Sequence, residues 1–222
     1  MPQQGLAYPV PTLIYHITHL NNLQGILQRG GLLPYSQRPP TQQNVAYGHI
    51  QAHRAQVVVP VGPRGKLHDY VPFYFCPRSP MLYAIHTQQT DYQGDQRPIL
   101  HLVSSAQKVA EARIPFVFTD RHAAVQYVCF FHKLEHLKAL DWQAIQASYW
   151  ANVREKKQAE FLVKDFFPWE LVEEIGVIDK TIQAQVESIL AQFPDLHHPP
   201  VRVRRSWYYK KRLCSASCEA TF

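Results

Sequence analysis

Residues 154–163 read REKKQAEFLV, and the fold turns on how that stretch is taken. A basic run, Arg154, Lys156 and Lys157, gives way to Phe161, Leu162 and Val163, which have the aromatic and branched character of a strand. Glu160 stands at the junction, so a carboxylate sits at the mouth of a structured element beside positive charge. Such an acid can work on a bound ligand. It can equally be a surface partner of Lys156 or Lys157, because ordinary ion-pair networks also place carboxylates firmly.

Composition bounds the rest. A chain of 222 residues, 46% hydrophobic and 12% aromatic, can bury one sizeable core, and no obvious linker divides it, so a single domain is expected. The net charge of +6 favours a polyanionic partner, and twelve histidines add charge below neutral pH. No window approaches 18 uninterrupted apolar residues, and residues 1–11, MPQQGLAYPVP, lack the order of a signal peptide; no membrane contact and a cytoplasmic location are the expectation. Cys76, Cys129, Cys214 and Cys218 fit neither a disulfide framework nor a CxxC metal site, and the apolar runs around Cys76 and Cys129 predict buried thiols. The chain has no P-loop, GxGxxG, nucleophile elbow or acid cluster, which leaves phosphoryl transfer and serine-dependent hydrolysis without residues.

Along the chain, prolines and a glycine in 1–11 predict an extended lead-in. Residues 12–16 (TLIYH) predict a strand, and Thr18 then offers a cap for a helix whose apolar face is Leu20, Leu23, Ile26 and Leu27, ending at Gly30 and Gly31. His16, Thr18, Asn21 and Asn22 gather at that turn, where free helix amides could receive a polar or anionic ligand. Thr18 could also merely cap, and His16 could be a satisfied core histidine. A helix is predicted over 43–56; His49 and His53 in it have metal-ligand spacing, but no HExxH pattern or nearby cysteine completes a site, and no metal is expected.

The run at 70–75 predicts a strand whose Pro72 marks an edge or a bulge. A helix bearing Tyr83 follows at 81–86, then strands at 98–103 and 115–118, with Ser104 capping a helix that runs through Ala112. Leu134, Leu137, Leu140, Ile145 and Tyr149 predict a core-facing helix pair between 121 and 154. Pro168 opens a helical turn, 175–178 reads as a strand, and Asp179 caps an amphipathic helix. Residues 199–212 alternate apolar and basic positions and carry three aromatics. That suits a single-stranded nucleic acid groove, and equally an ordinary last strand with a basic end. Short strands interleaved with helices predict an α+β fold.

Several of these segments together resemble one family. Tyr15-His16-Ile17-Thr18, Asn22-Leu23, Gly25-Ile26-Leu27 and Gly31-Leu32-Leu33, with Glu160 in its KKQAEFLV context, are similar to the DarT family of DNA ADP-ribosyltransferase toxins, and to its thymidine-modifying branch. The resemblance covers residues 12–209. It implies an ADP-ribosyltransferase-like split mixed β-sheet with flanking helices, between the lead-in at 1–11 and a basic tail at 210–222. It implies NAD as co-substrate without a metal, single-stranded DNA as the target, and a DarG-type macrodomain antitoxin as partner. By resemblance Glu160 and Arg54, the latter in an HIQxxR context, are catalytic. NAD would be held by His16 on the adenosine-side ribose, Thr18 near the nicotinamide amide, and Ile17, Gly25, Leu33, Arg54, Tyr74 and Tyr83, with Phe75 beside the nicotinamide slot and the region 38–56 closing over it. Tyr47, His49, Arg78, Arg154, Lys157 and Arg204 would contact the DNA. Arg54 is expected to stabilise an anion rather than take a proton, since a guanidinium is already full. Transfer to guanosine, RNA or protein, and a non-catalytic strand-binding module, remain alternatives.

Overall fold

A computed structural model describes residues 8–45 and 48–210, apart from the side chain of His49. The strands are β1 (Leu13–His19), β2 (Gly31–Leu32), β3 (Tyr70–Tyr74), β4 (Ile99–Ser105), β5 (Phe116–Thr119), β6 (Phe130–Phe131), β7 (Glu160–Lys164), β8 (Phe167–Pro168), β9 (Glu174–Val177) and β10 (Val201–Val203). The helices are α1 (Leu23–Gln28), α2 (Gly48–Arg54), α3 (Pro80–His86), α4 (Ala106–Glu111), α5 (Trp142–Gln146), α6 (Arg154–Lys157) and α7 (Lys180–Leu190). Eight strands form one mixed sheet in the order β10-β9-β4-β1-β3-β7-β5-β6, and β2 pairs with β8 in a small second sheet. The expected α+β architecture holds.

The large sheet is parted along one seam. β1 ladders with β4 over its whole length and β3 with β7 over its whole length, whereas β1 meets β3 only at Tyr15 opposite Tyr74. Pro72 explains much of this. Lacking an N–H it cannot complete a ladder toward β1, and its carbonyl is hydrogen-bonded to His16 Nδ1 at 2.8 Å instead. Of the two expectations for Pro72, an edge or a bulge, an outer edge is corrected: β3 is central, and the proline sits on an internal opening of the sheet.

Packing closes the structure around that opening. Ile14, Phe73, Phe161 and Val163 of the sheet are fully buried with Leu23, Ile26 and Leu27 of α1 and Ile182, Val186 and Leu190 of α7. As expected, Asp179 caps α7 by accepting from the Ile182 amide at 2.9 Å. Gly31 is required where β2 meets β8, because a Cβ there would lie 2.3 Å from the Phe167 carbonyl oxygen.

Several local expectations change. β1 runs on to His19, and it is the His19 ring that accepts from the Asn21 amide at the first turn, leaving Thr18 inside the strand. Ser105 caps α4, one residue after the Ser104 expected there. The predicted helix pair over 121–154 is a succession of short turns: β6, a 3-10 turn at Leu134–Ala139, α5, and α6 after a further turn. Cys76 is buried as expected, but Cys129 is exposed. The expectations for residues 1–7, Tyr47 and 211–222 lie outside the described residues.

Candidate active site

The seam opens into a cleft with His16, Ile17, Arg38, Arg54, Tyr74 and Glu160 among its walls. Glu160 is the first residue of β7, directly opposite Tyr74 of β3, and its amide donates to Thr119 Oγ1 at 3.1 Å. Strand pairing on both sides therefore fixes where the carboxylate begins. Its Oε1 accepts from Arg54 Nη1 and from the Ala123 amide, and its Oε2 from Arg54 Nη2, all at 2.9 Å. The pair is a two-pronged fork with both side chains under 10% exposed.

Electrostatics keep both members charged. Burial alone would raise the Glu160 carboxyl, but the Arg54 charge, then His122 and the hydrogen bonds, hold it below the usual carboxylate range. Burial likewise works against the Arg54 guanidinium, and the charge and hydrogen bonds of Glu160 overcome it. Glu160 thus lies inside the cleft rather than in a surface pair with Lys156 or Lys157.

His16 lines the same cleft. A carbonyl can only accept, so the contact with Pro72 puts the ring hydrogen on Nδ1 and leaves Nε2 as an acceptor. Burial, then the Arg38 charge, lowers its pKa to about 4 although the Pro72 bond pulls the other way. The imidazole is neutral at working pH and suits a sugar hydroxyl. His101, on the neighbouring strand β4, is lowered to about 4 by burial as well. An imidazole depressed from 6.5 to about 4 favours the folded state at neutral pH by roughly 3 kcal/mol, and that stability is lost as pH falls from 6.5 to 4. The melting temperature is therefore expected to drop across that window and His16→Asn to flatten the drop; an identical profile in the variant would contradict a His16 held neutral.

The other expected residues divide. Ile17, Tyr74 and Arg154 line the cleft. Thr18 is buried and accepts from Asn22 Nδ2 at 3.1 Å, while Asn22 also grips the Gln43 backbone through its amide (2.7 Å) and carbonyl (3.0 Å). The polar cluster at this turn anchors the segment that leads to α2. Gly25, Leu33 and Tyr83 are not among the walls; Tyr83 packs edge-on against Trp150 and Tyr209, and Phe75 is a core ring between Phe118, Trp142 and Phe161.

Two of the expected DNA contacts are engaged within the protein. Lys157 is buried, its ammonium donating to the carbonyls of Ile145 at 2.8 Å and Ala147 at 2.9 Å, so it is committed inside the protein. Arg204 forms its own fork with Glu174 at 2.6 and 2.8 Å, in the half of the sheet away from β7. Arg78 donates to Ser148 Oγ at 3.2 Å. His53 of α2 reaches the Ala124 carbonyl at 3.0 Å, and among the described residues no three His, Cys, Asp or Glu side chains gather as a metal site would need.

Residues not singled out by sequence complete the cleft. Arg38 is half-buried on its wall beside Tyr35; its Nε is enclosed without a hydrogen-bond partner, and desolvation pulls its pKa down to about 10. No carboxylate among the described residues forms a salt bridge with it. A desolvated guanidinium without an acid is costly unless an anion completes it, and the pyrophosphate of a dinucleotide is such an anion. His122, 3.9 Å from Glu160, belongs to the turn whose Ala123 amide reaches the carboxylate. Arg38 has no periodic neighbour that could have marked it, and His122 gains meaning only once β5 lies beside β7.

A mixed sheet parted over a cleft, with an ionised acid, a neutral histidine and a guanidinium that no carboxylate among the described residues completes, is a site built for a polar ligand that carries its own anion. A family model described as "ssDNA thymidine ADP-ribosyltransferase, DarT" matches residues 15–209. A DNA ADP-ribosyl transferase of Thermus sp. (strain 2.9) is 60% identical over 206 residues, 91% of this chain and 99% of that one. Solved structures of Thermus sp. 2.9 DarT agree in fold: the complex with ADP-ribosylated ssDNA has a TM-score of 0.89 at 59% identity, over 91% of this chain and 98% of that one. The complex with NAD+ has a TM-score of 0.86 at 56% identity, over 91% and 100%. The chain belongs to the DarT family, and it is an NAD-dependent DNA ADP-ribosyltransferase.

Proposed function

We propose that residues 12–209 act as one catalytic unit that breaks the nicotinamide–ribose bond of NAD at Glu160 and joins the ADP-ribose to N3 of a thymine in single-stranded DNA. The observation that carries this reading is the Arg54–Glu160 fork facing the same cleft as His16. As nicotinamide leaves with the bonding electron pair, positive charge grows on the ribose, and an ionised Glu160 stabilises it while accepting a hydrogen bond from the 2′-hydroxyl. N3 then bonds to the ribose carbon and sheds its proton, which Glu160 Oε2 receives. Arg54 holds the carboxylate in place and offsets negative charge on the pyrimidine.

His16 accepts from the adenosine-side ribose, and Tyr74, opposite Glu160, borders the nicotinamide slot. Arg38 completes itself on the pyrophosphate. Arg38→Gln is expected to raise the KM for NAD about tenfold with kcat little changed, on the order of one charge-assisted bond; an unchanged KM would remove Arg38 from the site. Arg154 meets the strand at the mouth of the cleft. A thymine in a single strand enters without the cost of leaving a duplex.

In keeping with its family the protein would act in the cytoplasm as the toxin of a toxin–antitoxin pair, with a DarG-type macrodomain protein as its antitoxin. The test is to incubate the protein with NAD and each of four homopolymeric oligonucleotides and weigh the products. One added ADP-ribose on oligo-thymidine alone is expected; a gain on oligo-deoxyguanosine with none on thymidine overturns the assignment.

A further inference from the structure

β5 and β7 run antiparallel with Phe118 opposite Phe161, and the next pair along would be Thr119 and Glu160. The ladder stops short of it. In its place the Thr119 hydroxyl acts as the backbone's partner: Oγ1 accepts from the Glu160 amide at 3.1 Å and donates its own hydrogen to the Arg121 carbonyl at 2.6 Å. A hydroxyl has one hydrogen to give and lone pairs to receive, so this single group ties the first residue of β7 to the turn that leaves β5. Thr119 is fully buried, and both partners would be short of a bond without it.

The turn fastened in this way is the one that serves the carboxylate. Its His122 amide donates to the Glu155 carbonyl at 3.2 Å, and its Ala123 amide donates to Glu160 Oε1 at 2.9 Å. Oε1 also accepts from Arg54 Nη1, whereas Oε2 accepts from Arg54 Nη2 alone among the described residues. Each carboxylate oxygen offers about two lone-pair sites. Oε1 is therefore filled, and Oε2 keeps one site open.

We propose that Thr119 is a positioning residue for ADP-ribose transfer: by pinning the Glu160 amide and the Arg121 carbonyl together, its hydroxyl sets the Ala123 amide on Oε1 and leaves Oε2 as the oxygen free for the substrate. This rests on the reading above that NAD is cleaved at Glu160. Thr119 acts only through that acid. The groups that face Glu160 are the Arg54 guanidinium from α2, the His122 ring from the turn and the Tyr74 phenol across the strand pair. Against burial, the Arg54 charge, His122 and the bonds from Arg54 and Ala123 hold the carboxyl pKa down. Loss of the Ala123 bond moves that pKa up, so the acid limb of the activity moves to higher pH.

The test measures kcat and the KM for NAD on oligo-thymidine across pH for the full chain and its variants Thr119→Val, Thr119→Ser and Glu160→Gln. Thr119→Val keeps the shape of the side chain and removes the hydroxyl. Its kcat at neutral pH is expected to fall about tenfold, the worth of roughly one hydrogen bond, with the KM for NAD little changed and the acid limb moved to higher pH. Thr119→Ser is expected to restore both kcat and the position of the limb. Should Thr119→Val not fold, Thr119→Cys, a weaker donor of similar size, is expected to show the same displacement with a smaller fall in kcat. An unchanged kcat, an acid limb that stays in place, or a loss that Thr119→Ser does not repair overturns this inference alone when Glu160→Gln is inactive. A Glu160→Gln protein that still transfers ADP-ribose overturns the role of the acid as well.

Discussion

Glu160→Gln is expected to reduce transfer to thymidine by at least about a thousandfold, because the amide keeps the shape of the side chain and removes the charge that faces the developing ribose cation. The loss falls on kcat rather than on the KM for NAD. A second effect follows from the same fork. Arg54 is buried and held at 2.9 Å on both prongs, and the neutral amide leaves its charge without an opposite. Removing one partner of a buried pair costs about 3–5 kcal/mol, so the melting temperature of Glu160→Gln is expected to fall by roughly 10 °C for a domain of this size. Adding Arg54→Met should recover much of that stability and none of the activity. A Glu160→Gln protein that still modifies thymidine at a tenth of the wild-type rate contradicts the assigned role.

Arg54 separates charge from geometry. In Arg54→Ala the forces that hold the Glu160 carboxyl low lose their largest member, and burial, which acts in the opposite direction, takes over. The carboxyl pKa then rises above its ordinary value, and the acid is partly protonated and inactive near neutrality. Residual activity of Arg54→Ala should therefore climb as pH is raised, with kcat at pH 7 down about a hundredfold or more. Arg54→Lys returns a cation but only a single point of contact, and should keep more activity than Arg54→Ala with a flatter pH profile. Equal loss in both variants would mean that charge is not what Arg54 supplies.

How far these features could be read in advance depends on how local they are. The β1 pattern, the Asp179 cap and the strand after Glu160 were legible because each is set by neighbours in sequence. The leucines at 134, 137 and 140 misled because a three-residue spacing fits a 3-10 turn, which is what forms, as well as one face of an α-helix. Pro72 reads as an edge signal in any strand, and only the divergence of β1 from β3 shows that a sheet can carry such an opening in its middle. The sequence setting of Glu160 left a ligand acid and a surface pair both open, and the resemblance named Glu160 and Arg54 together; that the two form a fork was not legible, because Lys156 and Lys157 are adjacent in the chain whereas Arg54 is brought in by folding. Lys157, which the resemblance put among the DNA contacts, has carbonyls about ten residues away as its acceptors, and no local pattern marks them. Arg38 is recognisable only by what its enclosed Nε lacks once the chain is folded.

The most direct check of a thymine N3 joined at the Glu160 cleft uses two oligonucleotides that differ by one methyl group, thymidine and N3-methylthymidine, each incubated with NAD and the wild-type protein and weighed. One ADP-ribose added to the first strand and none to the second is the predicted result. An equal gain on the methylated strand would contradict it.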